Sequence, residues 1–285
     1  MTQAAQKTET VSTAQQTNFS LIKSKMKATW EDGDYAAFAT YMEPGAIEIL
    51  ENWNIAPGQR LLDVGCGSGQ TAIPAAHRGI HVTAIDVASN LIAHARERAR
   101  AENLIVRFDE GDAEDLPYSN ASFDVAITLI GAMFAPRPDK VATEFARVIR
   151  PGGKLYMANW TPYGMPAMMF KCLAGYVPPA PGFIPPVLWG DEETVMQRLS
   201  GHFTDIQLSR KSYPQWHYRF TSQELVDFFR THFGPVKRTF EAIDENARKT
   251  LHGELAQIYN ESSEFTNGTL TITGGEYLEV IATRR

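Results

Sequence analysis

The sequence predicts an α/β fold in which short apolar strands alternate with helices and build a mostly parallel sheet. One observation is an apolar run at residues 61–64 that leads directly into three alternating glycines. A second is that carboxylates stand at the ends of the next two apolar runs. A third is an Arg-Pro-Gly-Gly turn at 150–153 that precedes another apolar run. We predict strands at residues 61–64, 81–86, 105–108, 123–130 and 154–160.

The glycine turn indicates a ligand that lies against bare backbone. Gly65, Gly67 and Gly69 allow a tight turn between a buried strand and the start of the next helix. A dinucleotide fingerprint would place its third glycine at position 70, which is Gln70. The spacing therefore favours a nucleoside without a pyrophosphate and disfavours a nicotinamide-dependent oxidoreductase. Asp63 precedes the turn and is either a buried structural acid or a group near the ligand.

Two further acids lie at the predicted carboxyl edge of the sheet. Asp86 follows Gly69 by 17 residues and ends the second strand, where a carboxylate can accept both ribose hydroxyls. Its alternative role is to cap the next helix, predicted at 89–102, but Ser89 is placed to be that cap. Asp112 follows the third strand and can accept a hydrogen bond from an adenine amine, or simply ends the strand.

With these motifs the chain resembles the class I S-adenosylmethionine-dependent methyltransferases, most closely the ubiquinone/menaquinone biosynthesis C-methyltransferase branch. The matching segments are residues 63–69, Asp86, 111–117, 123–125 and 150–153, within about 45–160. The resemblance implies S-adenosyl-L-methionine as cofactor and a Rossmann-like, seven-stranded sheet with helices on both faces. It also implies that the last strand, at 276–283, is antiparallel. The expected cofactor-binding residues are Asp63, Gly65, Gly67, Gly69, Asp86, Val87, Asp112, Ala113, Thr128 and Leu129.

Outside this core the chain predicts a helical lid insertion. We expect a disordered tail at 1–20 and a single methyltransferase domain at 21–285, with lid segments at 161–200 and 221–262. Residues 162–186 hold seven of the sixteen prolines together with several methionines and aromatics. Helices are predicted at 191–199, from 221 onward with a capping box, and at 244–259, with a strand between them at 204–213. Ordinary core packing is the alternative reading of these apolar segments.

Methyl transfer requires alignment of a nucleophile and exclusion of water, and a weakly acidic acceptor also needs a general base. No catalytic residue is assigned. The candidate bases are His217, His202, Tyr163, Tyr213 and Tyr218. Trp30 and Tyr41 either close over the methionyl group or pack in the core. We expect a small apolar or aromatic acceptor; a small thiol, a protein side chain and a non-catalytic S-adenosylmethionine-binding module are the alternatives.

Composition limits the other classes of function. The net charge is −6 with no basic patch, and residues 128–131 lack an Asn/Asp-Pro-Pro-Tyr box, so a nucleic-acid substrate is disfavoured. Cys66 and Cys172 form no metal or disulfide pattern, so no metal is expected. No apolar run is long enough to span a membrane, and residues 1–20 do not read as a secretory signal. We expect a cytoplasmic protein, for which no residue pattern indicates an oligomer.

Overall fold

The computed structural model describes residues 19–285, which form a seven-stranded sheet, a small three-stranded sheet and the helices around them. The strands, in chain order, are β1 Arg60–Val64, β2 His81–Asp86, β3 Arg107–Glu110, β4 Phe123–Leu129, β5 Ile149–Trp160, β6 Phe203–Ser212, β7 His217–Tyr218, β8 Ser263–Thr266, β9 Thr269–Ile272 and β10 Glu276–Arg284. The large sheet has the order β3-β2-β1-β4-β5-β10-β6. Strands β1 to β5 pair in parallel, and β10 is antiparallel to both β5 and β6. The predicted fold class is confirmed.

Helix α1 covers residues 19–30. The other helices are α2 Tyr35–Thr40, α3 Glu43–Asn52, α4 Ala72–His77, α5 Ser89–Ala101, α6 Pro138–Val148, α7 Met165–Tyr176, α8 Glu192–Leu199, α9 Ser222–His232, α10 Gly234–Ala242 and α11 Glu245–Glu261. Short 3-10 helices lie at Ala132–Phe134 and Pro186–Gly190. Of the tail predicted at 1–20, residues 1–18 lie outside the described residues.

A helical insertion interrupts the hairpin between β6 and β10, as the sequence predicts. Helices α9, α10 and α11 and the small antiparallel sheet β7-β9-β8 all lie within it. The capping box that opens α9 is present: Thr221 accepts from the Glu224 amide, and the Glu224 carboxylate accepts from the Thr221 amide. Asp191 and Asp244 cap α8 and α11 through their side chains alone, which accept from the Thr194 and Ala247 amides. The local signals therefore locate these helix starts correctly.

Three local predictions are wrong. The fifth strand begins at Ile149 rather than at residue 154, so the Arg-Pro-Gly-Gly segment lies within it. The third strand begins two residues later than expected, because Arg107 is the first residue to pair with β2. Ile105, which the prediction placed in the strand, is 97% exposed. Ser89 does not cap α5: Ala88 occupies the cap position without a side-chain bond, and the Ser89 hydroxyl donates instead to Glu31 at 2.7 Å. The carboxylate that accepts from the Ala88 amide belongs to Asp86.

The core is continuous from the sheet into the insertion. Buried side chains of the strands and of α3, α6, α9 and α11 belong to one cluster. Trp53, at the end of α3, stacks on Tyr156 of β5 and donates to Glu279 of β10 at 3.2 Å. Within residues 19–285, no helix has the length and apolar character needed to cross a membrane.

Candidate active site

The site lies where the strand order of the large sheet reverses, between β1 and β4. Loops that leave neighbouring parallel strands in opposite directions open a crevice at their carboxyl ends. The two loops meet at Gly65 and Gly131, where a Cβ added to Gly131 would lie 2.4 Å from the Gly65 carbonyl oxygen. Gly65 also has φ of 74°, a conformation that favours glycine. The crevice therefore depends on two glycines that sequence reasoning noticed only in part, since Gly131 was not singled out.

Asp86 holds the glycine turn and the next loop together. Its carboxylate accepts from the Gly67 amide at 2.9 Å and from the Ala88 amide at 2.9 Å. Burial raises the pKa of this carboxyl, and hydrogen bonds from the backbone amides partly oppose that rise. Asp86 lines the cleft, so it can also face a ligand. The Asp86 carboxylate is therefore both the predicted ribose-binding group and the acceptor for the amide at the start of α5.

Asp63 lies beneath the glycine turn and does not line the cleft. It is 1% exposed, and the Thr71 hydroxyl donates to its Oδ2 atom while Oδ1 has no partner among the described residues. Burial raises the pKa of Asp63 to about 7, and the nearby charge of Asp86 adds to the rise. This geometry corresponds to the structural alternative for Asp63.

Asp112 stands at the rim of the cleft and is bound by the amino-terminal helix. Lys23 of α1 pairs with Asp112 and with the buried Glu114, each at 2.5 Å. Arg137 also pairs with Glu114, at 2.6 Å. The two ion pairs of Lys23 hold α1 beside the cleft, and Met26 and Trp30 of this helix line it. The predicted adenine acid therefore has a protein cation beside it.

The cleft has a volume of about 1000 Å³, including its open mouth. Seven of the predicted cofactor-binding residues line it: Gly65, Gly67, Asp86, Val87, Asp112, Ala113 and Leu129. The other three lie behind the lining. Gly69 closes the turn by donating to the Cys66 carbonyl at 2.9 Å, and Thr128 accepts from the Ala132 amide at 2.9 Å. Asp63 is the third.

A second, apolar cavity of about 400 Å³, including the space at its open side, adjoins the cleft. Five residues line both: Trp30, Tyr35, Met42, Ile130 and Phe134. The remaining walls come from Phe38, Trp160 and Trp216 and from the two predicted lid segments. Helix α7 contributes Met165, Pro166, Met169 and Phe170, and the segment 221–262 contributes Phe229 and Phe233. Sequence reasoning missed Tyr35, whose short helix carries no motif.

Four of the five candidate bases line neither cavity. His217 is exposed and bonded to Thr271 at 3.0 Å, and Tyr163 is 61% exposed beside Arg210. Tyr218 is fully buried and accepts from the Trp216 indole at 2.8 Å. His202, in the turn before β6, and the three residues just named line neither cavity.

Tyr213 is the one candidate base that lines the cleft. Its hydroxyl donates to the Met42 carbonyl at 2.8 Å, and burial raises its pKa well above the ordinary value. A proton held in this way is not available for exchange with an acceptor at neutral pH. Trp30 lines both cavities, whereas Tyr41 lines neither and stacks on Tyr218. Among residues 19–285 no cluster of side chains could hold a metal ion.

The cleft fits S-adenosyl-L-methionine. A Cβ on Gly65 would collide with the Gly131 backbone, and a Cβ on Gly67 would already contact the Tyr35 ring at 3.7 Å, so both positions require bare backbone. Asp86 and Asp112 follow the neighbouring strands β2 and β3 and add two carboxylates to the lining for hydrogen-bond donors of a nucleoside. Neither lysine nor arginine lines the cleft in the described part of the chain, which suits a cationic ligand better than a pyrophosphate.

Comparison with known sequences points the same way. A methyltransferase-domain family model matches residues 62–157. An uncharacterised protein of Mycobacterium tuberculosis is 36% identical over 236 residues, which cover 81% of this chain and 86% of that protein. Methyltransferase GfsG of Streptomyces halstedii is 39% identical over 115 residues, 39% of this chain and 41% of that protein. The similarity to GfsG thus covers less than half of either chain.

Solved structures share the fold at low sequence identity. A putative methyltransferase from Bacillus halodurans has a TM-score of 0.56 at 17% identity, covering 83% of this chain and 97% of that one. Phosphoethanolamine N-methyltransferase 2 of Haemonchus contortus, in complex with S-adenosyl-L-methionine, has a TM-score of 0.54 at 23% identity. That match covers 84% of this chain and 52% of the other.

Proposed function

Because this chain belongs to the S-adenosylmethionine-dependent methyltransferases, we propose that it methylates a small apolar or aromatic molecule held in the apolar cavity. The observation that carries this proposal is the lining of that cavity. Its walls are aromatic, methionine and aliphatic side chains, and it shares five lining residues with the cofactor cleft. A lining of this character suits a small ligand with a large apolar surface.

The residues of the cleft have distinct roles in this proposal. Asp86 accepts the ribose hydroxyls, and Asp112 accepts the adenine amine once Lys23 shares or yields its contact. Gly65 and Gly67 let the methionyl portion lie against the backbone. The bound cofactor supplies an electrophilic methyl carbon, to which the acceptor donates an electron pair while the carbon–sulfur bonding pair passes to a neutral thioether sulfur.

The apolar cavity orients the acceptor and excludes water from the reaction. Helix α7 and helix α9 cover it from two sides, through Met169 and Phe229 among others. Phe229 is 1% exposed and packs on Phe38 and Tyr259 with ring centroids 4.9 and 5.0 Å apart. These contacts support assignment of residues 161–200 and 221–262 as a lid that also completes the core.

A panel of small phenols, enols, amines and thiols tests the proposal, with release of S-adenosylhomocysteine as the measurement. Phe229→Leu should raise the acceptor KM about tenfold and leave cofactor affinity unchanged, because Phe229 lines the acceptor cavity alone. Phe240→Leu is the matched control, since Phe240 is equally buried but lines neither cavity. Both changes should lower stability by about 1–2 kcal/mol. Equal effects of the two variants on the acceptor KM would contradict the assignment.

A small thiol or a protein side chain is the alternative acceptor, and a non-catalytic cofactor-binding module is the alternative function. Because the acceptor panel contains thiols, it distinguishes a thiol acceptor from a phenol, an enol or an amine. A module without catalysis would bind the cofactor and release no product with any acceptor. Membership of the ubiquinone/menaquinone branch, a cytoplasmic location and the absence of a nucleic-acid substrate stay predictions from the sequence.

A further inference from the structure

We propose that the acceptor is an acidic hydroxyl compound, a phenol or an enol, which binds in the apolar cavity as its anion and accepts a hydrogen bond from Tyr35. This inference deepens the proposed function and rests on it. Among the five described residues at the junction, which line both the cofactor cleft and the apolar cavity, Tyr35 is the one with a hydroxyl group. Three features of the junction carry the argument: the lack of a proton acceptor, the presence of donors and the source of positive charge.

The first feature is that no side chain is placed to remove a proton from the acceptor. Among residues 19–285, the apolar cavity is lined by no aspartate, glutamate, histidine, lysine or arginine. Of the two acids that line the cleft, Asp86 already accepts from the Gly67 and Ala88 amides, and Asp112 is paired with Lys23. Asp63 lies behind the lining. The acceptor must therefore lose its proton to water before it enters the cavity.

The second feature is that the polar side-chain groups of the cavity are suited to donate hydrogen bonds. Trp30 and Trp160 each carry an indole N–H, which donates and cannot accept. Burial and the charge of Asp86 raise the pKa of the Tyr35 hydroxyl, which keeps its proton. The Trp216 indole and the Tyr213 hydroxyl are already committed, to Tyr218 and to the Met42 carbonyl.

Tyr35 is also held firmly. Its ring meets Trp30 edge-on with centroids 5.5 Å apart and stacks on Phe38 at 5.3 Å. Such aromatic pairs fix the ring orientation and hence the position of the hydroxyl. Among the described residues no hydrogen bond of that hydroxyl to a protein group competes with a ligand. A fixed donor at the junction can stabilise a phenolate or enolate oxygen next to the transferable methyl group.

The third feature is the source of positive charge, because Lys23, which lies beside the cleft, is already paired with Asp112 and Glu114. Neither lining contains a lysine or arginine within residues 19–285. An anion in an apolar cavity is unstable without a nearby opposite charge. The sulfonium of the bound cofactor is the available cation, so the cavity should prefer the anion when the cofactor is charged and the neutral acid when it is not.

The test uses 4-nitrophenol, whose ionised form is yellow, bound to the full-length protein. Sinefungin, which carries a cationic amine in place of the sulfonium, is compared with the neutral S-adenosylhomocysteine. An opposite charge within a few ångströms lowers the pKa of an acid by about 1–3 units. We therefore expect the proton dissociation constant of bound 4-nitrophenol to be at least about tenfold higher with sinefungin. Absorbance titrations against pH measure this constant without any turnover.

Variants then test Tyr35 itself. Tyr35→Phe should weaken binding of 4-nitrophenolate about tenfold and leave 4-nitroanisole, which has no ionisable hydroxyl, within about twofold. Tyr41→Phe is the matched control, because Tyr41 lies near the same aromatic cluster but lines neither cavity. A purely structural role for Tyr35 would weaken both ligands alike, and that result would overturn the inference.

The remaining outcomes separate this inference from the proposed function. Equal proton dissociation constants with the two cofactor analogues would overturn the inference that the acceptor binds as an anion. The assignment of the apolar cavity to the acceptor would still stand if Phe229→Leu weakened the binding of 4-nitroanisole. Binding of a neutral amine in preference to 4-nitrophenolate would likewise overturn the anion alone. If neither nitro compound bound, the proposed apolar acceptor would be contradicted together with the inference.

Discussion

Replacement of Asp86 by alanine tests the cofactor site at its most constrained position. The carboxylate lines the cleft and accepts from the amides of Gly67 and Ala88, both at 2.9 Å. In Asp86→Ala the two amides lose their acceptor, and the ribose hydroxyls of the cofactor lose theirs. Cofactor affinity and protein stability should therefore both fall, by amounts that can be estimated separately.

The loss of stability should be modest. Two backbone hydrogen bonds contribute about 1 kcal/mol each, and removal of a buried carboxylate, whose pKa is raised by burial, offsets part of that loss. We expect a net change of about 1 kcal/mol. The loss of cofactor affinity should be larger, on the order of 2–4 kcal/mol, because hydrogen bonds to a charged group are strong. This corresponds to a roughly 30- to 1000-fold rise in Kd.

Titration calorimetry with S-adenosylhomocysteine measures the affinity, and thermal unfolding measures stability on the same protein. Asp124→Ala is the matched control, because Asp124 is also an aspartate of a core strand but lies at the opposite edge of the sheet. The Arg60 and Arg150 guanidiniums hold the pKa of Asp124 well below its usual range. Its replacement should lower stability and leave cofactor affinity unchanged.

Two results would refute this reasoning. One is an unchanged Kd in a folded Asp86→Ala protein, which would show that the carboxylate serves the backbone amides alone. The other is an equal loss of affinity in Asp124→Ala, which would show that affinity follows global stability. Loss of affinity confined to Asp86→Ala would support the ribose assignment.

Two further predictions concern the surroundings of the cleft. The raised pKa of Asp63, about 7 in the folded protein against an ordinary 3.8, means that its stabilising effect is present below pH 4 and is lost as the pH rises to about 7. Relative to Asp63→Asn, the wild-type free energy of unfolding should fall by about 4 kcal/mol over that range in urea titrations; a constant difference would disprove the pKa assignment. Lys23→Met should release α1 from Asp112 and raise the cofactor dissociation rate about fivefold, corresponding to about 1 kcal/mol for a partly exposed ion pair. Lys25→Met, an exposed change on the same helix, should not alter that rate in stopped-flow measurements, and equal rates for both variants would exclude the ion pair as an anchor.

Local signals in the sequence predict the large sheet and the cleft at its carboxyl edge. Positive φ at Gly65, Gly67 and Gly69 is a requirement of the local backbone, so glycine spacing reports it directly. The position of Asp86 is predictable too, because one helix (α4) and one strand (β2) of ordinary length separate it from the glycine turn. The capping box of α9 and the side-chain caps of α8 and α11 are equally local, which is why the starts of these three helices are predicted correctly.

The errors arose where a local signal competed with a distant partner. Ser89 has the composition of a cap, but Glu31 of the preceding helical region takes its hydroxyl, and Asp86 satisfies the amide of Ala88 instead. The apolar Ile105 looked like a strand residue, yet pairing with β2 begins at Arg107. Glu31 and β2 are distant in the chain from Ser89 and Arg107, so local sequence does not reveal them, whereas Asp86 is the alternative cap that the sequence itself offered.

The apolar cavity proposed for the acceptor forms only when distant segments of the chain pack together. Its walls come from residues as far apart as Trp30, Trp160 and Phe233, each on a segment whose apolar face is consistent with ordinary core packing. Periodicity shows that a face is buried but not whether it meets another side chain or an empty space. The position of Tyr35 between the cleft and the cavity likewise depends on how α1 and α2 cross the sheet edge. That arrangement is set by long-range packing and ion pairs such as Lys23 with Asp112, which no single segment of the sequence encodes.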